Sequence, residues 1–417
     1  MNMSELPIIV VGGGTAGSMV VASLAQSTQR DIVLIEPGNI SPHDDKNQFL
    51  DALSSEMLWP NIDVSATSSQ VSVPYLQARA LGGGSAINGL LLSGEAPTEL
   101  IELTRVATAA EIGPLSQAFI ACGATPSRLW WNDGRWNPGR VVARLVEEAR
   151  VTWIQETAEK LMYDQNHVTG VMINEDFVAA SVVVMCAGAL LTPALLLTSG
   201  IGSVNSQIGT GLQNHPTISF TLKKTSTERS DEWFDASVVL HKKNSNGQKS
   251  ITIVFERLSR DDADYGIISA SLLDVVSRGA VRLDNGIMHY EFNMLAEQQD
   301  VAAMRAMVRD LIALVQRPEF VDVIQQVLVD VNGTHLSIIK DLSDEDLDRW
   351  IFTHLTLVSH AASSCSQAVD SSGRVRGMEN LFIADASVLE TVPSETPAAS
   401  VTIEALRIAR IIGDSFR

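Results

Sequence analysis

The chain has 417 residues, of which 45% are hydrophobic and 19% charged, and its formal net charge is −19. This length is enough for one large or two ordinary domains with a sizeable buried core. The acidic charge argues against nucleic acids and anionic membrane surfaces as partners, because phosphate binding relies on clustered Lys and Arg.

Cysteine usage and hydropathy favour a cytoplasmic protein. The three cysteines, Cys122, Cys186 and Cys365, lie far apart and show neither a metal-ligand spacing nor a disulfide framework. The first predicted strand begins near the N-terminus, so we expect no secretory signal. Residues 178–198 are uncharged, but Gly188 and Pro193 interrupt them, which favours a buried strand and a helix from near Pro193 over a membrane span. We expect neither a membrane segment nor a metal site.

Residues 7–37 predict a strand, a glycine-rich turn, a helix and a second strand. The two strands, Ile8–Val11 and Ile32–Ile35, are apolar and rich in β-branched residues. Between them, three glycines follow a G-x-G-x-x-G frame, and an acidic residue ends the second strand. This order is typical of a dinucleotide site, although the glycine frame alone also fits an ordinary β-α-β unit.

Each glycine of the frame has its own function in such a site. Gly12 permits the tight turn, Gly14 lets the backbone approach a pyrophosphate, and Gly17 lets the helix pack on the strand. The helix start at Thr15 and Ala16 offers free backbone N–H groups to the anion.

Glu36 stands at the end of the second strand, roughly 20 residues past the glycines. A carboxylate there accepts hydrogen bonds from a ribose 2′-OH and repels a 2′-phosphate. The residue therefore favours FAD or NAD over NADP.

A second glycine-rich stretch covers residues 78–94. The three glycines at 82–84 give the backbone freedom for a close approach to a ligand, and Ser85 and Asn88 supply short hydrogen-bonding side chains. A helix is predicted from Ala86. Two glycine-rich turns that each open a helix favour an extended ligand.

This stretch resembles a signature of the glucose–methanol–choline (GMC) oxidoreductases, a family of FAD enzymes. The signature runs approximately G-R-x-L-G-G-S-S-A-I-N-G, and residues 78–89 follow it except at Ala78 and Gly84. Some members carry a histidine in this loop that bonds covalently to the flavin, where this chain has Ile87. The resemblance therefore implies non-covalent FAD, bound in this loop by Arg79, Gly82, Gly83, Ser85 and Asn88.

Two further stretches carry the same resemblance. Residues 188–202 match a second GMC signature at every specified position, which implies that Gly188 lies at the cofactor. In the family a small sheet precedes this signature, and the resemblance implies that Ala158 lies near the adenine. Residues 373–387 resemble the segment in which an aspartate and the backbone after it hold the ribityl and phosphate groups. Asp385 and Ala386 take those places.

The resemblance implies an α/β fold with a Rossmann-like FAD-binding domain of the GMC type and an inserted α+β substrate domain on an antiparallel sheet. The FAD domain is predicted to be discontinuous, with residues 1–95, 137–214 and 366–417, and to close with a final helix. The substrate domain is predicted at 215–365, and residues 96–136 form a connecting or cap segment.

The resemblance also points to a catalytic base. Residues 358–367 are similar to the family stretch H-x-x-G-T-C-x-M, with His360 and Cys365 at the histidine and cysteine positions. An imidazole suits the role because its ordinary pKa lies near neutral pH. The alternative is a buried, hydrogen-bonded histidine. His215, in a stretch similar to V-G-x-N-L-Q-D-H-P, is expected to be structural.

One departure from the family concerns the second catalytic position, which is a histidine or asparagine in other members. This chain has Thr396 there and Glu395 beside it. A threonine hydroxyl can donate a hydrogen bond but cannot act as a base. Burial beside the flavin would raise the pKa of Glu395 and make it a second acid or base. Alternatively, Glu395 faces solvent and Thr396 only fills space.

Two functions from different classes follow. The first is FAD-dependent oxidation of a small or medium alcohol, with oxygen or another electron acceptor, as a step in natural-product biosynthesis. The second is a GMC-like flavoprotein with a non-redox reaction, such as a lyase, a decarboxylation or a rearrangement. A flavin-binding protein without catalysis is a third, weaker alternative.

Overall fold

A computed structural model describes residues 6–42, 45, 55–93, 98–228, 230–244, 247–257, 263–330 and 332–416. The α-helices are α1 (Thr15–Ser27), α2 (Gly84–Ile87), α3 (Pro114–Ala121), α4 (Gly139–Glu147), α5 (Gly188–Thr198), α6 (Gln298–Val315), α7 (Asp344–His354) and α8 (Ala398–Asp414). Short 3-10 helices lie at Ser55–Met57, Thr98–Leu103, Ala109–Glu111, Ile201–Ser203, Pro318–Phe320, Leu336–Ile338 and Ala386–Val388. The strands are β1 (Ile8–Val11), β2 (Ile32–Ile35), β3 (Asn39–Ile40), β4 (Asp63–Ser65), β5 (Val73–Pro74), β6 (Ala80–Leu81), β7 (Leu91–Leu92), β8 (Arg105–Val106), β9 (Thr125–Pro126), β10 (Arg128–Leu129), β11 (Thr152–Ile154), β12 (Lys160–Asp164), β13 (His167–Ile173), β14 (Asp176–Ala179), β15 (Val182–Met185), β16 (Thr210–Leu212), β17 (Thr217–Lys224), β18 (Val238–Lys243), β19 (Lys249–Phe255), β20 (Tyr265–Leu272), β21 (Gly279–Asp284), β22 (Ile287–Glu291), β23 (Ile324–Leu328) and β24 (Leu381–Ile383).

A five-stranded parallel sheet in the order β11-β2-β1-β15-β24 forms the Rossmann-like part of the fold. Strands β1 and β15 bury every residue, and the elements packed on them include α1, which contacts β1 and α8, and β13 of the sheet β12-β13-β14, which contacts β15. Their near-continuous runs of Ile and Val are the pattern that such doubly covered strands require. The predicted strand, helix and second strand at the N-terminus are thereby confirmed.

A six-stranded antiparallel sheet in the order β23-β17-β20-β19-β18-β9 forms the second large layer. Along β17, from Thr217 to Lys224, buried residues mostly alternate with half-buried ones, as one packed and one accessible face require. The accessible face of this sheet turns toward the residues at the ends of the parallel strands. The predicted combination of a Rossmann-like sheet with an antiparallel substrate-domain sheet is confirmed.

Helix α5 begins at Gly188, not near Pro193 as predicted. The Gly188 N–H donates to the Asp385 carboxylate over 2.8 Å and so starts the helix one turn before the proline. A proline cannot donate to the carbonyl four residues before it. Here that carbonyl, of Ala189, accepts the Ser364 hydroxyl over 2.6 Å instead. The tertiary contact thus makes the internal proline tolerable.

Two other predictions concern the helix from Ala86 and the division into domains. The helix predicted from Ala86 is the single turn α2, which starts at Gly84. A five-stranded sheet in the order β16-β21-β22-β4-β5 joins strands from the ranges predicted for both domains. The boundary at residues 95 and 96 and the chain ends at 1 and 417 lie outside the described residues, and the domain division stays a prediction.

Candidate active site

One cavity of about 810 Å³ connects the two sheets. It begins where the parallel strands β1, β2 and β15 end, the usual ligand position in such sheets. It extends to the accessible face of the antiparallel sheet. Most of the predicted site residues line it, namely Gly12, Gly14, Thr15, Ala16, Glu36, Gly83, Ser85, Asn88, Ala158, Gly188, His360, Asp385, Ala386 and Thr396.

The two glycine-rich turns meet at one end of this cavity. A Cβ added to Gly83 would lie 2.6 Å from Gly14 Cα, so only glycine allows the two backbones to touch. A Cβ added to Gly14 would have no neighbour closer than 3.9 Å, because the position opens onto the cavity. No side chain caps the start of α1. This end therefore has the backbone cradle and helix N-terminus that suit a pyrophosphate.

Glu36 lies in the wall of the cradle and is only 6% exposed. Its Oε2 accepts the Gly13 N–H over 2.8 Å, and its Oε1 accepts the Gly38 N–H over 2.7 Å. Burial raises the pKa of Glu36 to about 7, against the opposing effects of the two backbone bonds and Arg79. The carboxylate thus holds two backbone segments in place at the point where a ribose is expected.

The other predicted cofactor residues support the cradle from behind. A Cβ on Gly17 would lie 1.8 Å from Gly12 O, so Gly17 allows the close helix–strand packing that the sequence predicts. The Gly82 N–H donates to Gly13 O over 2.8 Å, which joins the two turns. The guanidinium of Arg79 lies over the Trp59 ring, 5.5 Å from its centroid. Gly17, Gly82 and Arg79 themselves do not line the cavity.

Asp385 connects the turn after β24 to the start of α5. It is 1% exposed and accepts the Thr192 hydroxyl over 2.6 Å and the N–H groups of Gly188 and Ser387 over 2.8 Å each. Burial raises its pKa, although these hydrogen bonds oppose the rise. Because Asp385 also lines the cavity, these bonds fix the part of its wall formed by Gly188 and Asp385.

His360 lies where the cradle meets the substrate-domain sheet. Its Nδ1 is 3.0 Å from Nδ1 of His215, and the two rings are nearly perpendicular. Burial lowers the pKa of His360, and the neighbouring His215 lowers it further. The segment around it is held by Asn214, which donates to Val358 O, and by the Tyr75 hydroxyl, which bonds Val358 O and Ala361 N.

His215 is fully buried and does not line the cavity. Its Nε2 lies 2.8 Å from the Pro393 carbonyl oxygen. Burial lowers its pKa, while Pro393, Asp274 and Glu395 oppose the shift. A histidine expected from the sequence to be structural is therefore in direct contact with the candidate base.

Thr396 lines the cavity, and Ser93 holds it there. The Thr396 N–H donates to Ser93 Oγ over 2.8 Å, and the two hydroxyls are 3.1 Å apart. Ser93 is buried and comes from a segment more than 300 residues earlier in the chain. The hydroxyl of Thr396 thus has a fixed position at the cavity wall.

Glu395 differs from the expectation that burial raises its pKa. Burial does act in that direction, but hydrogen bonds from His241 and Ser93 outweigh it, so the pKa lies below its ordinary value. The carboxylate is half-buried, lies 3.2 Å from His241 Nε2, and does not line the cavity. Glu395 is therefore placed as a hydrogen-bond partner of His241 and does not line the cavity.

The far end of the cavity carries both hydroxyl and apolar side chains. Ser219 on β17 and Ser269 on β20 are cross-strand neighbours with their Oγ atoms 3.2 Å apart. Ile253 and Phe255 on β19 line the same face. This end can therefore take a substrate with an apolar body and polar substituents.

Sequence reasoning missed three side chains around the candidate base and Thr396. These are Ser93, Tyr75 and, as a contact of His360, His215. Only His215 had a local signal in the sequence. It lies between Asn214 and Pro216, in a stretch that resembles a family pattern. Ser93 and Tyr75 reach the site only through the tertiary packing.

The described residues contain no group of three or more His, Cys, Asp or Glu side chains placed to hold a metal ion. Among the helices that the structure describes, none combines the length and apolar character that a membrane crossing requires.

Comparison with known proteins supports the same family at two places in the chain. Family models described as GMC oxidoreductase match residues 140–217 and 275–405, which together make up just over half of the chain. The chain is 25% identical to 5-(hydroxymethyl)furfural oxidase of Methylovorus sp. (strain MP688), over 98% of each chain. It is 22% identical to pyridoxine 4-oxidase of Microbacterium luteolum, over 96% of this chain and 98% of the relative.

A solved structure shares the fold. The crystal structure of pyridoxine 4-oxidase from Mesorbium loti superposes with a TM-score of 0.84 at 18% identity, over 97% of this chain and 99% of the other. Family members bind FAD, and the glycine cradle, the uncapped helix start and Glu36 give this chain a site of matching chemistry. The chain is therefore a short member of the GMC oxidoreductase family, an FAD-dependent enzyme of the alcohol-oxidase type.

Proposed function

We propose that this protein oxidises a primary alcohol of small or medium size to the aldehyde, with oxygen as the electron acceptor. The observation that carries the proposal is the single cavity in which His360 and Thr396 lie between the dinucleotide cradle and the accessible face of the antiparallel sheet. A base and a hydroxyl donor at that junction face the place where a substrate and the cofactor meet.

In the proposed reaction, His360 Nε2 takes the proton of the substrate hydroxyl. The Thr396 hydroxyl donates one hydrogen bond to the same oxygen, which orients the substrate and leaves its carbon free to lose a hydride. The glycine cradle would hold FAD non-covalently, and the bound flavin would supply the two-electron hydride acceptor that oxygen reoxidises. The apolar and hydroxyl side chains at the far end of the cavity bind the remainder of the substrate.

We propose a hydroxymethyl group on an aromatic or heteroaromatic ring as the substrate class. The similarity to 5-(hydroxymethyl)furfural oxidase supports this choice, because the compound in that name carries such a group. Phe255 and Ile253 supply an apolar surface for a ring, and Ser219 and Ser269 supply hydroxyls for its polar substituents. A role in natural-product biosynthesis stays part of this proposal.

The test is anaerobic mixing of the flavin-loaded protein with 5-(hydroxymethyl)furfural, pyridoxine and benzyl alcohol. Oxidation requires loss of the oxidised flavin absorbance with one of them, and its return with peroxide formation when air is admitted. The matching methyl ethers are the control, because they have no hydroxyl proton for His360 to take. Unchanged absorbance with a broad set of primary alcohols would overturn the proposal and favour the non-redox alternative, which the threonine at position 396 keeps open.

Thr396→Val is expected to lower kcat/KM by roughly 10-fold, because it removes one hydrogen bond to the substrate oxygen while keeping the side-chain volume. Thr396→Ser is the control and should stay close to the wild-type protein. Steady-state oxygen consumption measures both. Equal rates in the valine variant and the wild-type protein would show that the hydroxyl only fills space.

The affinity of the apoprotein for FAD should fall about 10-fold between pH 8 and pH 6. A ribose hydroxyl donates to the ionised form of Glu36, and the pKa of about 7 means that the free site is mostly protonated at the lower pH. Titration of apoprotein with FAD, followed by flavin fluorescence, gives the dissociation constants. Glu36→Gln should bind more weakly at pH 8 and show no such slope, whereas a flat wild-type profile would exclude Glu36 as the titrating group.

A further inference from the structure

The contact between His215 and His360 restricts where their hydrogens can lie. Two ring nitrogens at 3.0 Å form a hydrogen bond only if one carries a hydrogen and the other a lone pair. The position of that hydrogen decides which nitrogen of His360 is left to act in the cavity.

The second bond of His215 settles the direction. Its Nε2 lies 2.8 Å from the Pro393 carbonyl oxygen, which can only accept, so Nε2 of His215 carries a hydrogen. A neutral imidazole has a single N–H. Burial favours this neutral form, although Asp274 and Glu395 act in the opposite sense. Nδ1 of His215 then carries no hydrogen, and its lone pair accepts a hydrogen bond from Nδ1–H of His360.

We propose that His215 is a positioning residue that fixes His360 in the Nδ1–H tautomer and leaves the lone pair on Nε2 toward the cavity. The proposal rests on the proposed function for its consequence, since Nε2 is the atom assigned to take the substrate proton. Within the described part of the chain, Nε2 of His360 has no hydrogen-bond partner. His360 itself lines the cavity, whereas His215 does not.

The pair fixes orientation as well as the tautomer. The two ring planes meet at 85° with centroids 5.2 Å apart, so the bond holds the plane of the His360 ring. Without an acceptor at Nδ1, the His360 ring would be free to carry its hydrogen on Nε2, and that form cannot accept a proton in the cavity. Two successive hydrogen bonds, from His215 to the Pro393 carbonyl and from His360 to His215, thus fix the position of the proton-accepting Nε2 atom.

Two substitutions separate this role from simple packing. His215→Asn keeps an acceptor oxygen near the Nδ1 position, whereas His215→Leu keeps the apolar volume and removes every polar atom. We expect the asparagine variant to retain most of the wild-type turnover. The leucine variant should lose roughly 10- to 100-fold in kcat, part of what a general base contributes, while its FAD content stays normal.

The direct readout is the tautomer of His360, measured by nitrogen NMR on flavin-loaded protein with labelled histidine. The His360 signals are assigned by their loss in His360→Gln. The wild-type protein and His215→Asn should show an unprotonated Nε2 and a protonated Nδ1, and His215→Leu should show a protonated Nε2 fraction. Tyr75→Phe is the control, because it loosens the same backbone segment without touching the pair and should keep the wild-type tautomer.

A protonated Nε2 in the wild-type protein would overturn the proposal, as would an unchanged tautomer in the leucine variant. If the leucine variant fails to fold, the wild-type and asparagine spectra still decide. Normal turnover of His360→Gln beside the expected tautomer would refute the assigned base and leave the positioning intact, so the two failures are distinguishable.

Discussion

Replacing His360 by glutamine is expected to lower turnover by roughly 10²- to 10⁴-fold, the usual contribution of a positioned general base. Glutamine keeps a polar side chain of similar length but cannot take a proton at neutral pH. Among the described residues, His360 makes no hydrogen bond to the glycine cradle, so FAD content should match that of the wild-type protein. Single-turnover flavin reduction under anaerobic conditions isolates the affected step.

His289→Gln is the matched control, since His289 is an exposed histidine on β22 that does not line the cavity. A His360 variant with the turnover of this control would remove His360 from the mechanism. The pH profile gives a second measurement. With FAD saturating, kcat/KM should not fall as pH drops through 6.5, because burial and His215 hold the pKa of His360 well below that value.

Replacing Asp385 by alanine should lower the free energy of unfolding of the apoprotein by about 3 kcal/mol or more. The change leaves three donors without their acceptor: the buried Thr192 hydroxyl, the buried Ser387 N–H and the half-buried Gly188 N–H. Because Asp385 and its partner Gly188 line the cavity, the variant should also lose FAD during gel filtration. Urea unfolding and the flavin-to-protein absorbance ratio measure the two effects.

Asp385→Asn should lie between the wild-type protein and the alanine variant, because an isosteric amide keeps one acceptor oxygen. Asp370→Ala is a second control. That carboxylate also accepts local bonds, from Ser372 and Arg374, but it does not line the cavity. The Asp370→Ala variant should have a lower free energy of unfolding and an unchanged FAD retention. Wild-type stability and FAD retention in Asp385→Ala would show that the Asp385 network is dispensable.

The elements that depend on neighbouring residues could be predicted from the sequence. A dinucleotide-binding unit was predicted from the apolar runs of β1 and β2, the glycine turn between them and the acidic residue after β2. The structure contains each of these parts. These elements depend on the pattern of apolar and glycine residues over a few neighbouring positions, and the sequence shows that pattern directly. The match at residues 188–202 and 373–387 likewise depends on consecutive residues.

The start of α5 needed the tertiary structure. Pro193 marks a helix start when only local preferences act. The actual start at Gly188 follows from the Asp385 carboxylate, and the tolerated proline follows from the Ser364 hydroxyl on Ala189 O. Both partners come from segments more than 170 residues away.

The chemistry around the candidate base was decided in the same way. The sequence by itself identified His360, Thr396 and Glu395 as candidates from the family pattern. Only the packing of the two sheets showed that His360 meets His215, that Ser93 holds Thr396, and that Glu395 pairs with His241 outside the cavity. Local periodicity indicates which segments form strands or helices and which face of each is apolar. The environment of a side chain, and hence its tautomer and pKa, depends on groups that only the tertiary fold brings within 3 to 4 Å.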